Sequence, residues 1–320
     1  MSDLAGALAW LFLFLYAALF VHLVVLYAKR AIDYKSRFTV LTLHILVRVA
    51  SQAVGVAFAY VGYSNTGLLV AYFILGAEGY FTLVLCSYRF LISWQQDHFL
   101  SGESWLEPRV PKGTPLWKKL LGSFVVVTPG EKPRPMAFMH QLLIAANTMI
   151  VVGGSLLSGG SNSTADFGKD EGNVRTARIL RTAGQAIFLA INFVLLGAIT
   201  HTMHQERKER PSGQEKKFFV HPTLILLLLA WPLLIVRGFY GLLNSYIDAF
   251  NYFIPGNYTA DGLTREFIVF EYVLGTLMEW VSCALLMATW WTERWTADQN
   301  QAQVENRDNH THDHSDKAAV

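Results

Sequence analysis

"HILVRVASQ", His44 to Gln52, carries an arginine, Arg48, at its middle. The flanking residues, 38–60, are mostly apolar. Together they are long enough to cross a hydrocarbon core of roughly 30 Å at about 1.5 Å per residue. A guanidinium at the centre of such a segment costs at least about 2.5 kcal/mol on insertion scales, so it is expected to face the interior of a bundle and meet a partner there.

The bundle is legible in the rest of the chain. Seven apolar segments stand out, at 4–28, 38–60, 68–93, 136–158, 178–202, 220–247 and 266–291. Backbone groups have no water to bond in a bilayer core, so each segment is expected to be a helix. The expected fold class is all-α, a polytopic seven-helix bundle over 1–292 followed by a disordered cytoplasmic tail at 293–320. Composition agrees: 52% of the 320 residues are apolar and 16% charged, which suits a multi-pass membrane protein better than a soluble domain. A net charge of +2, with no basic block interleaved with aromatics, gives no sign of nucleic-acid binding. Cys86 and Cys283 both fall inside apolar segments and make no disulfide framework.

Loop charges suggest an orientation. The connections 29–37, 94–135 and 203–219 carry four, six and five Lys/Arg, against none, two and one in 61–67, 159–177 and 248–265. This bias predicts an N-terminus outside or in a lumen and a cytoplasmic C-terminus, in a plasma membrane or endomembrane. The first segment reads as a signal-anchor rather than a cleaved leader, since "AKR" follows it and no basic residue precedes it. Two sequons, at Asn162 and Asn257, fall in the predicted outer loops and are expected glycan acceptors, while Asn309 in the tail is not. In the long third connection, "LWKKLLGSFVVV" reads either as an interfacial stretch with Trp117 among lipids or as a loop against the helix ends.

Measured by depth, Arg48, Glu78, Asn147, Asn192, Arg237 and Glu279 lie near the centres of their segments and share one layer. Contacts Arg48–Glu78 and Arg237–Glu279, or the crossed pairing, would cancel the formal charges. Asn244 and Glu271 would extend the polar interior toward the outer face. A layer of this kind is either a structural clamp or a ligand pathway. "ILVRVASQ" and "LIVRGFYG", with "YFILGAE" and "YVLGTLME", also suggest a parallel repeat of three helices, a linker helix and three helices. Gly76, Gly79, Gly238, Gly241 and Gly275 near the layer allow close helix approach.

"WPLLIVRGFYGLLNSY" followed by a helix with "EYVLGTLMEW" resembles the fungal seven-helix membrane proteins of an uncharacterised domain family, similar in outline to the lipid-translocating exporter (RTA-like) proteins. The resemblance is carried by Arg237, Tyr240 and Glu279, is most specific over 230–290 and implies the fold and a membrane location. The exporter-like group has a second arginine and a glutamate where this chain has Gly241 and Asn244.

Three function classes compete. The first is a protein that binds or translocates a small or lipid-like ligand, with membrane lipids and a small amphipathic ligand as its partners. The second is a seven-helix receptor-like sensor, which the topology permits. Against it, "SYRF" replaces the Asp-Arg-Tyr of many receptors, and no Asn-Pro-x-x-Tyr ends the last segment. That segment also lacks a lysine for a retinal Schiff base. The third is an intramembrane metal-dependent hydrolase using His22, His44, His140, His201, His204 and His221, mostly helix-end positions where imidazoles sit comfortably at the interface. The first is preferred, with no enzyme activity, no cofactor and no metal expected.

Overall fold

The computed structural model describes residues 3–61, 66–109, 134–158, 171–209, 220–251, 254–259 and 262–318. Seven helices among them are long and apolar enough to cross a membrane. They are α1 (Asp3–Ala28), α2 (Phe38–Val61), α3 (Thr66–His98), α4 (Pro135–Ser158), α5 (Glu171–Glu209), α6 (Pro222–Leu243) and α7. The last is composite, with an α-helical start Arg265–Phe270, a π-helical stretch Glu271–Leu277 and an α-helix Met278–Ala318. An all-helical chain with seven such spans is compatible with a multi-pass membrane protein. Trp10, Leu11, Phe14, Val21, Leu43, Phe193, Leu229 and Phe239 point outward on several helices, an apolar coat compatible with a lipid surrounding.

Helices adjacent in sequence pack side by side, and α7 returns to touch α1, α2 and α3, closing a ring. α3 stands innermost, touching α2, α4, α5, α6 and α7. That place explains why Tyr80, Leu83, Val84, Cys86, Tyr88, Phe90 and Leu91 are all buried along one stretch of it. α6 starts at Pro222, whose missing N–H is one the first turn would leave free anyway. Pro232 inside α6 removes an internal donor and loosens the helix before it reaches Arg237.

Helix lengths depart from expectation where polar residues extend an apolar core. α5 begins at Glu171 and runs to Glu209, well beyond 178–202 at both ends. α6 stops at Leu243 rather than 247, because Asn244 caps it and short 3-10 turns, Asp248–Phe250 and Pro255–Asn257, follow. The segment expected to be a disordered tail continues α7 as helix to Ala318. Lengthening an existing helix avoids the nucleation that an isolated polar segment would have to supply. The "LWKKLLGSFVVV" stretch and the sequon at Asn162 lie outside the described residues. Asn257 lies within them. Its amide is buried and donates to the carbonyl oxygens of Asp248 at 2.6 Å and Asn251 at 2.8 Å, so it staples the α6–α7 loop and a glycan there would displace one of these bonds.

Candidate functional site

The search for Arg48's partner ends at Glu279. Arg48 Nε lies 3.0 Å from Glu279 Oε2, and Arg237 Nε donates to Oε1 of the same carboxylate at 2.6 Å. Two arginines from α2 and α6 therefore share one glutamate from α7. The contact expected between Arg237 and Glu279 is present, and Arg48 takes the partner of the crossed alternative, Glu279, rather than Glu78. Glu78 instead accepts from Asn147 Nδ2 at 2.5 Å, between α3 and α4. The two Arg/Glu pairs are thus not equivalent in space, as a symmetric repeat would make them. One carboxylate serves two cations because α7 lies between α2 and α6, while Glu78 faces α4.

Local sequence makes room for this cluster. A Cβ on Gly79 of α3 would lie 2.7 Å from Arg48 Cδ, so only glycine leaves a notch for that side chain. One on Gly238 would lie 2.7 Å from the Tyr80 hydroxyl. That hydroxyl donates to the Leu234 carbonyl at 3.0 Å and accepts from Asn192 Nδ2 at 2.8 Å. Aromatic rings support the cations: Arg237 stands 5.1 Å over Tyr80 and 5.8 Å over Tyr240, and Arg48 stands 5.6 Å over Tyr16.

Toward the end of the bundle that bears the α2–α3, α4–α5 and α6–α7 connections, the polar cluster continues. Tyr240 donates to Glu271 Oε2 at 2.7 Å. Asn244 Nδ2 donates to the Phe250 carbonyl at 2.5 Å, and Asn244 Oδ1 accepts from Arg181. Arg181 and Gln185 on α5 were not among the expected site residues, although both reach this cluster. A segment starting near 178 puts Arg181 in its first turn; because the helix begins at Glu171, Arg181 lies well inside it, 4% exposed.

A cavity of about 60 Å³ opens within the cluster, lined by Arg48, Arg181, Arg237, Glu271, Glu279 and Gln185 among others. Two more of its walls are Gly275 and Thr276, both on the π-helical stretch of α7. Such wide turns recur at functional sites because they re-aim side chains that a regular helix would turn away. Gln185 Oε1 and Thr276 Oγ1 are buried without a hydrogen-bond partner among the described residues. Buried oxygens of this kind are costly unless something satisfies them.

The histidines are scattered. His44 is bonded to Thr82 at 2.8 Å, His98 and His221 lie 4.6 Å apart by ring centroids, and His22, His140 and His201 pack against Trp291, Phe81 and Trp105. Among the described residues no three metal-binding side chains group together. Comparison with family models, with curated proteins and with solved structures gave no match, so the reading of the site rests on its own geometry.

Proposed function

We propose that this chain is a multi-pass membrane protein that binds, and in its working cycle translocates, a small amphipathic ligand at the Arg48–Glu279–Arg237 cluster. One observation carries the reading: the charged layer borders a cavity instead of being packed shut. A clamp whose only task was to hold α2, α6 and α7 together would gain from excluding that space. Arg237, Tyr240 and Glu279, which carry the resemblance to the fungal seven-helix proteins, all belong to the cluster, and membership of that group is part of the proposal.

Gly76 supplies the test. It lines the cavity, and a Cβ added there would meet nothing within 4 Å. In a background with Cys86 and Cys283 replaced by alanine, Gly76→Cys is expected to react with a small charged methanethiosulfonate in sealed vesicles. An inert Gly76→Cys in a folded protein would return the layer to a clamp.

The orientation proposed from the loop charges places the cavity on the outer or lumenal side. Glycosidase-sensitive mass is expected to be lost on Asn162→Gln and unchanged on Asn257→Gln, whose amide is engaged in its loop. Modification at Asn309 with none at Asn162 would invert the topology.

A further inference from the structure

A second, apolar cavity adjoins the first. It measures about 40 Å³, lies between α1, α2 and α7, and is lined by Ala5, Phe58, Ala59, Phe267, Ile268 and Tyr272. The two cavities share Tyr72 and Glu271 as a common wall. Gly55 makes this arrangement possible, because a Cβ there would lie 3.1 Å from the Tyr72 ring. A polar chamber and an apolar chamber separated by two side chains form a site with two chemistries.

We infer that the paired cavities bind a small anionic amphiphile, its carboxylate- or phosphate-sized head among the arginines and its short apolar body beside Phe58, Ala59 and Phe267. The inference rests on the reading of the polar cavity as a ligand site. Charge decides the sign of the head. The polar lining presents three guanidiniums and two carboxylates. Glu279 Oε1 accepts from Arg237, Oε2 stands in an ion pair with Arg48, and Glu271 accepts from Tyr240. A cationic head would have to displace these contacts, whereas each arginine has five N–H donors and an anion can take several together. The unpartnered Thr276 hydroxyl adds a donor to the same wall, beside one unpartnered acceptor, Gln185 Oε1.

Size limits the ligand. At about 10–15 Å³ per water-sized group, the polar cavity admits about four to six such groups, as in a carboxymethyl or phosphate head, and the apolar one about three or four. The two chains of a diacyl lipid exceed this space. The anion has two sources, a soluble short-chain acid, which the two cavities enclose, or a membrane-resident fatty acid, whose further carbons would lie outside them, and both present the same head.

The test uses the full chain in phosphatidylcholine nanodiscs, with empty discs as the blank. Isothermal titration would compare hexanoate, acetate, inorganic phosphate, hexylamine, hexanol and palmitate. Hexanoate is expected to bind at least about tenfold more tightly than acetate or phosphate, through its buried methylenes. It is also expected to bind at least about tenfold more tightly than hexylamine or hexanol, through its charge. Gly76→Leu, which fills the polar cavity, should abolish hexanoate binding, and Ala59→Leu should reduce it to the level of acetate. Unchanged thermal unfolding midpoints show that both variants fold. Palmitate binding more tightly than hexanoate, with the same sensitivity to Gly76→Leu, would assign the membrane as source; hexanoate binding more tightly would assign solution. Hexylamine or hexanol matching hexanoate overturns the inference, as does phosphate matching it, or hexanoate bound equally by Gly76→Leu. If no probe binds, the inference falls. Gly76→Cys labelling then separates the cases: a reactive thiol keeps the cavity as a ligand site, and an inert one removes that reading too.

Discussion

Replacing Glu279 with leucine is expected to abolish accumulation of the folded protein. Glu279 is 1% exposed and is the ion-pair partner of both Arg48 and Arg237. Removing one member of a buried ion pair costs about 3–5 kcal/mol, because the remaining charge is stranded. Here two are stranded, and arginine cannot escape by losing its proton. That loss is comparable to the stability of a whole small domain, roughly 5–15 kcal/mol. Arg48→Leu or Arg237→Leu alone leaves Glu279 one partner, so each should be milder. For an isolated pair, Arg237→Leu with Glu279→Leu would recover stability. Here that double variant still strands Arg48 and should recover only in part. The triple variant Arg48→Leu, Arg237→Leu, Glu279→Leu leaves an apolar seam and should restore most of the unfolding midpoint, since well-packed hydrophobic replacements of buried charges are often neutral or better. Fluorescence-detected size exclusion and thermal unfolding would rank the five proteins. A double variant as stable as the triple would separate Arg48 from Glu279. A stable triple variant that no longer binds hexanoate would assign the charges to the ligand rather than to the fold.

The depth reading singled out Arg48, Arg237 and Glu279, which the structure brings into contact, because a charge central in an apolar helix has few cheap alternatives; it left the pairing open where rotation about a helix axis decides. Arg48, Arg237 and Glu279 were all legible as needing partners. Which carboxylate meets Arg48 depends on the face that α3 and α7 turn inward, and one glutamate can bind two cations through its two oxygens. Nothing in "EYVLGTL" marks a π-helical stretch, yet that stretch places Glu271, Gly275 and Thr276 on the cavity wall. Glycines were legible as places of close approach, which holds for Gly79 and Gly238, whereas Gly76 opens onto space. The seven long apolar helices were visible because a run long enough to cross a bilayer stands out in a sequence. Their ends were not, because Glu171, Arg207 and the residues after Glu293 prolong helices without being apolar.

Gly184→Val is expected to separate α4 from α5 and disturb the site from a distance. A Cβ at Gly184 would lie 2.5 Å from the Ala146 carbonyl oxygen and 2.7 Å from Ile150 Cγ1. On the facing helix, a Cβ at Gly153 would lie 2.9 Å from the Ala177 carbonyl oxygen. Each helix thus offers a glycine to the backbone of the other, the arrangement that lets membrane helices approach closely. Backbone carbonyls cannot swing away as a flexible side chain can, so the helices themselves must part, at about 1–3 kcal/mol or more for overpacking. The consequence reaches the cavity, because α4 carries Asn147, the partner of Glu78, and α5 carries Arg181, the partner of Asn244. Gly197 lies on the same helix with nothing within 4 Å of an added Cβ, and Gly197→Val should change stability by no more than about 0.5 kcal/mol. Both variants would be read by unfolding midpoint and by Gly76→Cys labelling rate. The Gly184 variant should unfold several degrees lower and label at an altered rate, while the Gly197 variant matches the parent in both. Equal effects at the two positions would mean that helix propensity, and not the α4–α5 contact, is what valine changes.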